Sequence, residues 1–308
     1  MPLYVTGLSP YSLQMKISPL YSRVRRLHVV VWVVICLLVG MAGCAQAPYT
    51  GRSQLILLDK EQEMLLGMKA SEEVKRTERL STDARRVALV NRVGRRIAAG
   101  AARPEYQWEF YVVANDTPNA FALPGGKVYV YEGMFKYART ENQLATVMAH
   151  EIAHVIARHG VERMSSQMAL SLGGDLAGLM VSGGDAAAFN TFQQLYGFGS
   201  QVAVGLPHSR SQESEADRIG LILMAKAGYD PRSALSFWQN MLYTDTSQLP
   251  FFLSTHPTDE ERIADLVDDM PEAMQYYTPV QKEPRSYLPG AFDAPYSPPS
   301  SGYQPYRY

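Results

Sequence analysis

Cysteine is nearly absent from this sequence. Cys36 and Cys44 are the two in 308 residues, too few for a disulfide scaffold. Net charge is nearly absent as well: 29 Lys+Arg face 30 Asp+Glu, for a formal −1, so no basic surface invites nucleic acid. A charged fraction of 19% beside 46% hydrophobic residues excludes a largely disordered chain, and this length can bury a sizeable core in one or two domains. Internal repeats are missing. Acidic residues are missing from residues 1–43, which hold Lys16, Arg23, Arg25 and Arg26; removing those four cations takes the chain from −1 to −5.

The two ends therefore read differently from the middle. Arg23, Arg25 and Arg26 precede LHVVVWVVICLLVGMAG, which spans Leu27 to Gly43 without a charged residue. Basic, then apolar, then small is the order of a signal peptide. Met41-Ala42-Gly43-Cys44 resembles the bacterial lipobox, which implies cleavage before Cys44 and lipidation of its sulfur, with more acyl chains than the marginal hold of one. Ala45 resembles an outer-membrane sorting residue, and the long stretch before Met15 makes Met15 an alternative start. The competing reading is a short transmembrane anchor, since about 17 apolar residues sit at the edge of the spanning range. Residues 1–43 are expected to be a lipoprotein signal peptide and 44–58 a lipidated, extended linker. The cell-envelope location that follows is an outer-membrane lipoprotein facing the periplasm.

Residues 59–271 read as one folded domain of α+β class, mainly α. Asp59 to Leu80 has apolar positions at helical spacing, and Asp83 to Ala101 puts Val90, Val93 and Ile97 on one helix face. Gln107 to Ala114 alternates Trp108, Phe110 and Val112 with Glu109 and Tyr111, the period of a half-buried strand. Lys127 to Tyr131 repeats that pattern after the turn Pro124-Gly125-Gly126. A long helix starts near Thr140-Glu141 and another spans Ser211 to Gly228. The last is opened by a capping box at Thr258-Asp259-Glu260-Glu261 and ends near Pro271. Residues 168–206, rich in Ala, Gly and Leu, read as a helical pair under a core or lid. Six Pro and five Tyr in the final 25 residues cannot bury enough surface to fold, so 272–308 reads as a disordered tail.

The chemistry lies in His150-Glu151-Ile152-Ala153-His154. Histidines four apart on a helix share a face one turn apart, so both imidazoles can reach one Zn²⁺ at about 2.0–2.1 Å. Glu151, offset by about 100°, can reach water on the metal rather than the metal. A hydrolytic zinc site takes three protein ligands and keeps one position open. A metzincin would have Gly and His where this chain has Ala157 and Gly160, and a thermolysin-like Glu is missing, since only Glu162, Asp175 and Asp185 are acidic between 155 and 212. The next acidic residues are Glu213, Glu215 and Asp217. Glu213 and Asp217 share a helix face, so Glu213 is read as the third ligand and Asp217 as the group orienting a ligating imidazole. Glu215 is read as solvated.

HEIAH, followed about 60 residues later by ESEADRIG and preceded by NAFALPGGKVYVYEGM, resembles the gluzincin family that joins CAAX prenyl proteases, heat-shock membrane proteases and Oma-type peptidases. Within that family the chain looks like the bacterial periplasmic, lipid-anchored members and the beta-barrel assembly-enhancing protease. That resemblance covers roughly Tyr49 to Met270. It implies a zincin-like fold with the HExxH helix packed on a small β-sheet, one Zn²⁺ held by His150, His154 and Glu213, and Glu151 as catalytic base. It implies an endopeptidase acting on misfolded or misassembled envelope proteins, with the outer-membrane assembly machinery as a candidate partner. The tetratricopeptide repeats of some relatives have no counterpart in the residues after 271.

Several residues around this core have expected roles. Asn119, Ala120, Phe121 and Ala122 are the candidate edge against which substrate backbone would add as a strand. His159 is off the metal face and is read as a hydrogen-bonding residue. His208 is a candidate oxyanion stabiliser. His256, just before the last helix, is a candidate occupant of the open metal position that holds the enzyme latent. A chaperone-like binder of unfolded envelope proteins is the competing function, against which an intact Glu151 argues. A mitochondrial Oma-type peptidase is the third, disfavoured by the lipobox-like N-terminus.

Overall fold

The computed structural model describes residues 44–172, 208–242 and 251–279; the expected signal segment, most of the Ala/Gly-rich pair and residues 280–308 of the expected tail lie outside the described residues, whereas 272–274, expected in that tail, belong to the last helix. Contacts divide the chain after Cys44, and the unit beginning at Ala45 contains the core and the site. A short two-stranded sheet, β1 (Cys44–Gln46) and β2 (Ser53–Leu55), comes first. Then come α1 (Lys60–Thr77), α2 (Ala84–Ala101), β3 (Glu109–Val113), β4 (Ala120–Leu123), β5 (Lys127–Tyr131) and a 3₁₀ turn at Glu132–Lys136. The rest is helical: α3 (Glu141–Ile156), α4 (His159–Leu172), α5 (Arg210–Lys226), α6 (Ser233–Leu242), α7 (Phe251–Thr255) and α8 (Glu260–Met274). No helix among the described residues is long and apolar enough to cross a membrane.

Local chemistry sets the helix starts. Asp59 caps α1 in a reciprocal box with Gln62, Ser209 does the same for α5 with Gln212, and Thr140 accepts from the Gln143 N–H at the start of α3. Each side chain satisfies an N–H that a helix start leaves without a partner. The last helix differs from expectation: Asp259, not Thr258, accepts from the Arg262 N–H, and the helix runs past Pro271 to Met274.

The three-stranded sheet has the order β3-β5-β4, with β5 parallel to β3 and antiparallel to β4. One face (Phe110, Val112, Val128, Val130) joins the core built from α2, α3, α5, α6 and α8. The other (Val113, Leu123, Tyr129, Tyr131) packs with α1 residues Leu66, Ala70 and Val74 and α4 residues Val161 and Met164. β5 is thus buried along its whole length rather than half-buried, because it is the central strand with helices over both faces. Residues 44–58 are likewise more than a linker: Gln54 donates to the Ala157 carbonyl at 2.6 Å, and the Leu57 N–H donates to Ser165 Oγ at 2.9 Å.

Candidate metal centre

The centre is built on α3, buried from Gln143 to Ile156. His150 and His154 are 1% and 5% exposed, and their Nε2 atoms converge to 3.0 Å. α5 supplies the carboxylates. It packs so closely on α3 that a Cβ at Gly220 would stand 3.3 Å from the His150 backbone nitrogen, and this approach delivers Glu213 and Asp217 to the histidines. Glu213 oxygens lie 3.3 Å from His150 Nε2 and 3.4 Å from His154 Nε2. Asp217 Oδ1 takes the other His150 nitrogen, Nδ1, at 2.9 Å. The structure therefore brings together the two histidines, Glu213 and Asp217 as the sequence spacing anticipated.

Two residues arrive from the loop before α8 and from its first turn. His256 Nδ1 lies 3.2 Å from both His150 Nε2 and Glu213 Oε1, and its Nε2 lies 3.3 Å from Glu151 Oε1. Arg262 was not foreseen. Its guanidinium donates to both Asp217 oxygens at 2.5 and 3.0 Å, covers the Trp238 ring at 3.9 Å, and stands 2.8 Å from Glu213 Oε2. That last contact is an ion pair without hydrogen-bond alignment, since Glu213 Oε2 has no hydrogen-bond partner. One sequence signal existed: a cation in a helix's first turn opposes the helix dipole and so asks for another reason to be there.

His154 is held differently. Its Nδ1 lies 2.7 Å from His159 Nδ1, and His159 Nε2 lies 2.8 Å from Glu215 Oε2. Had α3 continued, His159 would have pointed away; instead α3 stops at Ile156 and Arg158 takes φ +57, the left-handed region, which turns His159 back. His159 is a buried hydrogen-bonding residue, as read from its spacing. Glu215 corrects expectation. It is 6% exposed, because Thr50 and Arg52 of the β1–β2 segment cover it: the Thr50 hydroxyl donates to Oε1 and Arg52 Nε to Oε2 at 2.7 Å. Arg52 also forks onto Glu162 at 2.6 and 2.7 Å.

Electrostatics separate the groups. Burial pushes Glu151 up from the ordinary carboxylate value, opposed by His256 and His150. Burial would also raise Glu213, but Arg262, His256 and His150 outweigh it and hold the carboxyl well below that value. Burial drives His154 and His208 well down. For His150 burial is outweighed by Glu213 and Asp217, which lift it to about 9, so metal binding there would displace a proton.

The His208 ring lies 4.0 Å from that of His154 between centroids, tilted by 33°, and its buried Nδ1 has no hydrogen-bond partner. Glu151, His154 and His256 line a cleft whose wall includes Asn119, Ala120, Phe121 and Ala122. β4 is an edge strand, as expected. The Tyr131 N–H donates to the Asn119 carbonyl, and Phe121 pairs with Tyr129, so antiparallel alternation turns the Ala120 and Ala122 backbone toward the open side.

The residues fit a metal ion. His150, His154, Glu213 and His256 offer donor atoms all within 4.8 Å of one another. Two nitrogens on a tetrahedral Zn²⁺ at 2.0–2.1 Å would stand about 3.3 Å apart, close to the 3.0 Å between the Nε2 atoms. The orphaned Glu213 oxygen and the nitrogen-and-carboxylate donor set suit zinc.

A buried pair of histidines one turn apart, a carboxylate from a following helix and a glutamate beside them on a cleft define a metallopeptidase centre in a zincin-like fold. The chain belongs to Peptidase family M48, whose model matches residues 84–269. Similar proteins include the Mitochondrial metalloendopeptidase OMA1 of Schizosaccharomyces pombe, 40% identical over 60% of this chain and 53% of that protein. The Metalloendopeptidase OMA1, mitochondrial, of Homo sapiens is 32% identical over 74% of this chain and 46% of that protein. The Beta-barrel assembly-enhancing protease of Escherichia coli is 32% identical over 71% of this chain and 46% of that protein. The chain spans about half the length of these relatives.

Proposed function

We propose that this chain is a zinc-dependent endopeptidase that hydrolyses peptide bonds of misfolded or misassembled cell-envelope proteins, in residues 59–271. One observation carries the reading: His150, His154 and Glu213 converge in a buried pocket with Glu151 beside them, open to a cleft along a sheet edge. These three residues would hold one Zn²⁺. When bound, the ion supplies Lewis acidity, polarising a scissile carbonyl and acidifying water. Glu151, buried and with Oε1 making no hydrogen bond, takes the proton from the attacking water and returns it to the leaving amine. Burial, which raises its pKa, favours its holding that proton between the two steps. Asp217 fixes His150 in the tautomer that frees Nε2. A substrate strand adds to β4 through the Ala120 and Ala122 backbone, and His208 is the candidate donor to the developing oxyanion.

His256 fills the space a substrate group would need, and we assign it a latching role. His256→Ala should raise basal proteolysis of unfolded casein several-fold; unchanged or lower turnover would count against the latch. The lipid-anchored envelope setting rests on the basic-apolar-small order before Cys44 and on likeness to the Escherichia coli protein. Mass spectrometry of the mature N-terminus tests it: a diacylated Cys44 supports it, and an intact apolar segment overturns it. Casein cleavage by wild type beside Glu151→Gln separates an enzyme from a chaperone-like binder.

A further inference from the structure

The two metal-facing histidines have unequal support. His150 meets a carboxylate directly at Nδ1, whereas the Nδ1 of His154 meets another imidazole. Hydrogen-bond bookkeeping then fixes every proton between there and the surface. If His154 Nε2 offers its lone pair inward, its Nδ1 carries the hydrogen and donates to His159 Nδ1, 2.7 Å away. His159 Nδ1 is then an acceptor, so its Nε2 carries the hydrogen and donates to Glu215 Oε2 at 2.8 Å. A carboxylate accepts only, so the chain has one consistent direction. His159 is fully buried, and among the described residues its side-chain hydrogen bonds are these two.

We propose that His159 and Glu215 are positioning residues that fix the tautomer and aim of His154, and that Thr50 and Arg52 brace Glu215 from the β1–β2 segment. The proposal rests on the reading of His154 as a zinc ligand. The brace is specific. Thr50 takes one Glu215 oxygen and Arg52 Nε the other, while the Arg52 fork is held by Glu162. Glu162 in turn accepts from Gln54 at 3.2 Å and from Gln212 at 2.8 Å. The segment that begins at Cys44 therefore closes a relay ending on a metal-facing nitrogen. Through it, the seating of residues 50–54 controls how firmly His154 can hold an ion.

The test measures zinc affinity by chelator competition, the visible spectrum of the cobalt-substituted protein and the melting of the metal-free chain. His159→Phe keeps a planar aromatic ring, somewhat larger, and removes both hydrogen bonds; Glu215→Gln keeps the shape and removes the charge. Each should weaken zinc binding about ten- to hundredfold and shift the cobalt bands. The double variant should bind no more weakly than the worse single one, because both cut the same chain. Arg52→Met, at a partly exposed position that leaves folding intact, should shift the cobalt bands with about a threefold to tenfold loss. His159→Phe and Glu215→Gln at parental affinity and spectrum, with His154→Ala lacking zinc, would overturn the proposal alone. Parental affinity in His154→Ala would overturn the zinc-ligand reading beneath it. An unchanged Arg52→Met spectrum would remove the brace.

Discussion

His150 and His154 stand one turn apart on α3, yet opposite ends of the chain secure them. His150 is tied to Asp217, which is clamped by Arg262 in α8. His154 is tied through His159 and Glu215 to Arg52, eight residues after Cys44. The first arrangement is compact and dry, with Asp217 and Arg262 both about 4% exposed. The second is longer and ends at a half-exposed arginine. A fully buried charged pair is intolerant of losing one member, whereas removing Arg52, a partly exposed cation at the rim, lets water reach the Glu215 and Glu162 carboxylates it covered and costs less. One side of the centre is therefore rigid, and the other depends on a peripheral segment.

Arg262→Met should sharpen that contrast most. It leaves Asp217 and Glu213 buried without their cation, and the metal-free chain should lose about 3–5 kcal/mol in denaturant unfolding. Arg52→Met should lose about 1 kcal/mol in the same measurement; equal losses would erase the distinction. Gly220→Ala should fall between, at about 1–3 kcal/mol. It pushes α5 from α3 and so disturbs Glu213, Asp217 and Glu215 together, which chelator competition would show as weaker zinc binding.

The smallest effect expected is in acid. Burial raises the Glu162 carboxyl, but hydrogen bonds from Arg52 and Gln212 outweigh it and leave it below its ordinary 4.5. Its contribution to stability is then full above that pH and fades as pH falls through the lowered folded value. Wild type should show that acid loss in unfolding curves, and Arg52→Met should show a flatter acid limb.

Much of the centre was legible because α3 and α5 are regular there. Spacings of four within a helix place His150 with His154 and Glu213 with Asp217 whatever surrounds them. β4 was legible from its turn, Pro124-Gly125-Gly126. Glu215 was misread because helix periodicity says where a side chain points and not what covers it; its cover comes from residues 50–52, more than 160 positions away. His159 gained its partner through a left-handed turn at Arg158, where neither glycine nor proline marks the break. Arg262 could be placed only by the packing of α8 on α5. Long-range partners of this kind leave no period in a sequence.

Metal content and casein cleavage of wild type beside Glu151→Gln test the central claim most directly. The account predicts one zinc per chain in both proteins, with cleavage in Glu151→Gln reduced about 10²–10⁴-fold. Undiminished cleavage in Glu151→Gln, or a wild type that cleaves equally well after zinc is stripped, would contradict it.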